Sequence, residues 1–165
     1  MAKLTAIERF RAEAQRLGLA PEVREFPQGT RTAEDAARAV GCRVGQIVKS
    51  LVFVAGDRPF LALTSGPNRA DMGRLSELME GVRIRRATPD EAREATGFAI
   101  GGTPPFGHPR PLRVLLDRDL LSHDVLWAAA GTPHAVFPIT PGDLIRASGA
   151  EPADFKEGSE DAPRV

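Results

Sequence analysis

The sequence has little of what disulfide-built, metal-built or membrane proteins rely on. Its one cysteine, Cys42, excludes an internal disulfide and leaves no partner for a structural zinc site of the usual kind. Neither charge sign is in excess: 22 Lys and Arg balance 22 Asp and Glu. No global field draws the chain to nucleic acid or anionic lipid, so contact with a polyanion has to be local. No apolar run reaches the roughly 18 residues a membrane helix needs, and Met1-Ala2-Lys3 leads into a charged helical pattern rather than a signal core. A cytoplasmic protein is the expectation. Also missing are Gly-x-x-x-x-Gly-Lys, Gly-x-Gly-x-x-Gly after a strand, Gly-x-Ser-x-Gly and a metal-spaced histidine pair. There is no internal repeat.

What is present reads as one globular domain of 165 residues, 42% hydrophobic and 27% charged. Ile7, Phe10, Ala14 and Leu17 share a helix face that stops at Gly18. Val23 to Phe26 alternates like a short strand, and Thr32 with Asp35 opens a second helix that ends near Gly41. Gln46 to Ala55 and Phe60 to Thr64, joined by Gly56-Asp57-Arg58-Pro59, predict a hairpin whose continuous apolar run demands cover on both faces. Further helices are expected from about Arg69 to Met79, from Thr88-Pro89-Asp90-Glu91, and from Thr140 to about Ala147. Further strands are expected at Val82–Arg85, Leu112–Asp117, Val125–Ala130 and His134–Ile139. Seven strands and five helices make a single α/β domain with a mixed sheet over residues 1–150, followed by a polar, frayed tail over 151–165.

Chemistry is expected at the one stretch that abandons regular structure, Gly101-Gly102-Thr103-Pro104-Pro105-Phe106-Gly107-His108. Glycine lets amides approach a ligand or adopt positive φ, and prolines lock φ, so this loop presents a stiff, exposed edge of peptide groups. Lys49 lies in a strand of Ile, Val, Leu and Phe, where an ammonium must reach a polar pocket, snorkel to water or lose its proton. His134 follows the turn Gly131-Thr132-Pro133 and is a second candidate, alongside the Thr132 hydroxyl; a backbone-bonded structural histidine is the competing reading. Ser122-His123-Asp124 is no triad, because triads converge from separated segments. The basic clusters Arg83-Ile84-Arg85-Arg86 and Arg110 with Arg113 read equally as phosphate contacts or solvated faces.

Three segments in order carry a resemblance. Val48-Lys49-Ser50-Leu51-Val52-Phe53, the Gly101–His108 loop and Trp127–Phe137 (WAAAGTPHAVF) resemble the YbaK/prolyl-tRNA editing-domain family over about Thr30 to Ala147. The resemblance implies a curved, barrel-like mixed sheet flanked by helices. It also implies a freestanding deacylase that cuts a wrong amino acid from the terminal adenosine of a tRNA, typically tRNA for proline, with the synthetase as a possible escort and with no metal or cofactor. Lys49 falls on that family's characteristic lysine and Gly101 to Pro105 on its Gly-x-x-x-Pro loop. As implied roles, Gly101 and Gly102 with Lys49 serve the reaction. Phe26, Ser50, Phe53, Thr103, Pro104, Pro105, His108, Gly131, Thr132 and His134 shape the substrate pocket. In the subgroup that clears cysteine the last segment carries an acidic residue, whereas Ala135-Val136-Phe137 follow His134 here. Alanine, serine or threonine then stand beside cysteine as substrates. A non-catalytic module binding an aminoacyl-adenosine-like ligand or a synthetase, and a small-molecule hydrolase, are the competing readings.

Overall fold

A computed structural model describes residues 3–26 and 32–158. Five helices, α1 (Ala6–Arg16), α2 (Ala33–Val40), α3 (Met72–Leu78), α4 (Pro89–Thr96) and α5 (Pro141–Ser148), accompany eight strands. These are β1 (Arg24–Glu25), β2 (Ile47–Ala55), β3 (Arg58–Ser65), β4 (Ile84–Arg86), β5 (Arg113–Asp117), β6 (Leu126–Ala129), β7 (Ala135–Ile139) and β8 (Glu151–Ala153). They form one mixed sheet in the order β1-β7-β6-β2-β3-β5-β8, with β4 pairing β2 off this path. The path has two ends, so the barrel-like expectation resolves into an open mixed sheet.

β2 organises the rest. Val48 and Val52 face the largest core cluster, where Phe10 of α1 meets Phe106 and Phe137 at ring distances of 5.6 and 4.6 Å. Phe53 and Ala55 face a second cluster with Phe60, Leu75 of α3 and Phe155. Ile47 joins Trp127, Val136 and Ala36 and Ala37 of α2 in a third. Side chains of alternate parity are buried on opposite faces, which is why the run reads as continuously apolar. Each buried phenylalanine contributes about 1.5–3 kcal/mol by leaving water.

Helix starts follow the expected chemistry. Thr5 with Glu8, Thr32 with Asp35 and Thr88 with Glu91 close reciprocal capping boxes. The expected start of α3 at Arg69 is corrected to Met72. Asp71 accepts the N–H groups of Gly73 and Arg74, and residues 66–70 are held as a loop by Asn68 N–H to Ser65 O, 2.9 Å. Glu91 also grips Arg85 through two bonds of 2.7 Å, and these, followed by the Thr88 amide, hold its carboxyl down to about 2 from 4.5. A depressed carboxylate stabilises above its unfolded pKa and loses that contribution as pH falls toward the folded one. Glu91→Gln is therefore expected to flatten the dependence of Tm on pH between 4.5 and about 2 relative to wild type, as read by thermal melts across that window.

The expected frayed tail is corrected over 151–158. β8 pairs in parallel with β5, Leu115 opposite Glu151 and Asp117 opposite Ala153, and Phe155 is buried in the second core cluster. Glu151 and Asp154 face water, so the segment's composition reads as polar while Ala153 and Phe155 face inward. No helix among the described residues is long and apolar enough to cross a membrane.

Candidate active site

A fork in the sheet creates the site. On one edge β2 pairs with β3 along its whole length, while on the other it pairs with β6 only at Ile47 and Val48 and with β4 only at Phe53 to Ala55. Between these ladders lies a gap at Lys49 to Val52. Ala87 N–H reaches Val52 O at 3.1 Å and Gly56 N–H reaches Arg83 O at 3.0 Å, so even-numbered residues of β2 turn their peptide groups toward this edge. The two-residue hairpin closed by Ala55 and Arg58 fixes the complementary parity toward β3. Ser50 N–H and C=O are thereby directed into the gap. The Ser50 hydroxyl is buried there and has no hydrogen-bond partner among the described residues.

The gap opens into a cleft of about 450 Å³, within the ~300–1,000 Å³ typical of small-ligand sites. Lys49, Ser50, Gly101, Thr103 and His134 of the expected set line it together. Lys49 is half-buried and its Nζ donates to Asn68 O at 2.6 Å. Desolvation pushes its pKa below the ordinary 10.5, partly offset by the Glu34 and Asp117 carboxylates. His134 is exposed on the rim, its N–H donating to the Thr132 hydroxyl at 3.2 Å. Among the described residues, no group of three or more His, Cys, Asp or Glu is placed to hold a metal ion.

The loop differs from its expected exposed form. Gly102 to Phe106 are buried and only Gly101 keeps an exposed face, with φ +86°. Gly102 N–H is spent on Ala99 O (3.0 Å), and its carbonyl accepts Gly131 N–H (3.0 Å). That pairing seats the loop on the 131–133 turn, and among the described residues the Gly101 and Thr103 amides have no main-chain partner. Gly102, Gly131 and Thr132 therefore stand behind the cleft wall rather than on it. Pro104 and Pro105 pack inward, and His108 bolts the loop from behind, Nε2 donating to Pro104 O at 2.9 Å while burial lowers its pKa. Phe53 is core, with the Arg86 guanidinium 5.7 Å from its ring centroid, and supports Arg86 instead of forming a wall. Phe26 packs against the Ile47–Trp127–Val136 cluster outside the lining, and Pro27–Arg31 after it lie outside the described residues.

Sequence reasoning missed several walls: Thr32 and Ala33 at the start of α2, Arg86, Ile100, Trp127 and Pro133. Arg86 ends a basic cluster and Trp127 opens WAAAGTPHAVF, but nothing local says which residues of these segments face a common hollow.

The fold is that of an editing domain: residues 27–147 match the family described as Aminoacyl-tRNA editing domain, and the chain belongs to it. A crystal structure described as a candidate trans-editing enzyme for prolyl tRNA synthetase superposes with TM-score 0.89 at 49% identity, covering 95% of this chain and 100% of that one. An uncharacterized Bacillus subtilis (strain 168) protein, YwhH, is 33% identical over 74% of this chain and 78% of its own. Proline–tRNA ligase of Streptococcus thermophilus is 28% identical over 80% of this chain, which spans 21% of the ligase.

Proposed function

We propose that this protein is a trans-acting deacylase that hydrolyses the ester of a tRNA for proline carrying a small, wrong amino acid. The observation carrying the proposal is the convergence of the Lys49 ammonium, the Gly101 edge and the outward peptide of Ser50 on one cleft. An aminoacyl ester is already activated, so its hydrolysis needs a positioned water, stabilisation of the developing oxyanion and a pocket for the side chain.

Lys49 has three donors and spends one on Asn68 O, leaving two for a ribose or phosphate oxygen at the tRNA terminus. Ser50 C=O accepts from the α-ammonium of the attached residue, and the Gly101 and Thr103 amides receive the ester carbonyl as it becomes an oxyanion. The substrate's neighbouring hydroxyl and His134 orient the water. Trp127, Ala128 and Thr103 bound the side-chain space by size, a sieve worth about 10- to 200-fold per methylene. Likeness to part of proline–tRNA ligases supports proline tRNA as the carrier and the synthetase as escort, which answers the missing global basic charge.

The purified protein is expected to release alanine, serine, threonine or cysteine from tRNA for proline at least ~10-fold faster than buffer while sparing the prolyl ester. Release of none of them above the buffer rate ends this reading.

A further inference from the structure

The cleft lysine does not find its place through its own strand. Its ammonium is held by a main-chain carbonyl, Asn68 O, in the loop between β3 and α3, and that loop is fixed from behind. The Asn68 side-chain amide faces two carboxylates, donating from Nδ2 to Asp117 Oδ2 and to Asp119 Oδ2, both at 2.8 Å. Only the NH₂ end of an amide can face two carboxylates, so its orientation is set by charge.

Asp117 is 3% exposed, and Oδ2 also accepts Ser65 N–H (3.0 Å) while Oδ1 accepts Asp119 N–H (3.0 Å). Asp119 is steadied in turn by Lys156 Nζ at 2.8 Å. The end of β3, the turn after β5 and the C-terminal segment are thus tied around one asparagine whose carbonyl sits 2.6 Å from the Lys49 ammonium.

We infer that Asn68 is the positioning residue of Lys49, clamped by Asp117 and Asp119 so that its carbonyl aims the ammonium at the terminal ribose or phosphate of the substrate. The inference rests on the deacylase reading for its activity readout and on the hydrogen bonds around Asn68 alone for its geometry. Alanine at 68 keeps the carbonyl but frees the loop that carries it. A displacement near 1 Å costs a positioned group up to ~10²-fold in rate.

The test is a double-mutant cycle on deacylation of alanyl- or seryl-tRNA for proline, with melting temperatures measured alongside. Asn68→Ala is expected to lower kcat/KM by about 10- to 100-fold in the wild type and by less than ~2-fold in Lys49→Ala, because a residue acting through Lys49 has nothing left to lose. Losses that multiply in the double variant overturn the inference, since a scaffold role acts whether or not the lysine is there.

A second measurement separates this outcome from failure of the deacylase reading. Lys3, Lys49 and Lys156 are the lysines of the chain, so ζ-¹⁵N-lysine NMR resolves Lys49 without any substrate. The charged groups acting on it are Glu34 from α2, Asp117 at the end of β5, Arg69 in the clamped loop and Arg86 of β4. Asp117→Asn removes a carboxylate that raises the Lys49 pKa, so its titration is expected to move to lower pH, and Asn68→Ala is expected to shift its resonance. Because Asp117 acts on Lys49 through its charge as well, the Asn68→Ala resonance is the deciding one: an unmoved Lys49 signal there overturns the clamp. A Lys49 signal that moves in Asn68→Ala, in a protein without deacylase activity, keeps the clamp and removes the proposed function.

Discussion

Lys49→Ala is expected to lower kcat/KM for deacylation by about 10²-fold, the loss that follows when the terminal ribose or phosphate is no longer held in place and the ester drifts by about 1 Å. The variant should fold, because Lys49 is half-buried at the sheet's open edge and its removal frees one carbonyl, Asn68 O, beside a water-accessible cleft. Melting curves that superpose while activity falls separate the two effects; a fully active Lys49→Ala protein removes this residue from the mechanism. The ammonium also sets a limit in alkali. Burial lowers its pKa from 10.5, so the charged form is complete below that lowered value and is lost as pH rises through it. After subtraction of hydroxide's own attack on the ester, kcat/KM is expected to decline before pH 10.5 is reached, and a profile flat to that point speaks against a charged lysine.

Gly102→Ala is expected to lower both stability and turnover. A Cβ there would sit 2.7 Å from Thr132 Cα, 2.8 Å from Gly131 O and 2.9 Å from Thr132 C, all main-chain atoms that cannot rotate away. Overpacking of this kind costs about 1–3 kcal/mol, and each kcal/mol lowers Tm by roughly 2–4 °C in a chain of this length. Thermal melts should thus show a fall of several degrees together with lost turnover, because the strain pushes the loop off the 131–133 turn. Gly101→Ala is the informative contrast. Its Cβ would lie 3.5 Å from Pro133 Cγ, an ordinary contact, so its burden is the positive φ of +86°. It is expected to melt closer to wild type than Gly102→Ala while still impairing turnover. Equal melting losses in the two would mean the loop tolerates displacement.

The pattern of elements was legible because each carries a local signal. Capping boxes at Thr5, Thr32 and Thr88 mark helix starts within a residue, and the apolar runs of β2 and β3 declare a buried hairpin. β8 was not legible, since three residues at a sheet edge with charged neighbours give neither period nor hydrophobicity. In the site, Lys49 stood out because an ammonium among aliphatics requires an explanation, and Gly101 because a glycine–proline run does. The division of labour within the loop was hidden: which glycine needs its φ and which needs its missing side chain depends on the distant turn at 131–133. Phe53 was misjudged for a related reason. Parity along β2 puts Lys49 and Phe53 on the same side of the sheet, but Phe60, Leu75 and Phe155 share a buried cluster with Phe53 and the Arg86 guanidinium lies over its ring. Asn68, Asp117 and Asp119 sit in separate segments whose convergence is a property of topology.

The segment after α5 reaches back to the site. Asp71 N–H reaches Phe155 O and Glu157 N–H reaches Arg69 O, each at 2.7 Å, and Ala70 bridges Lys156. Residues 155–157 thus staple the strip of backbone on which the lysine's acceptor is mounted. The carbonyl that holds Lys49 rests on a loop whose far side is closed by the last described segment of the chain, so the cleft and residues 151–158 form one connected unit.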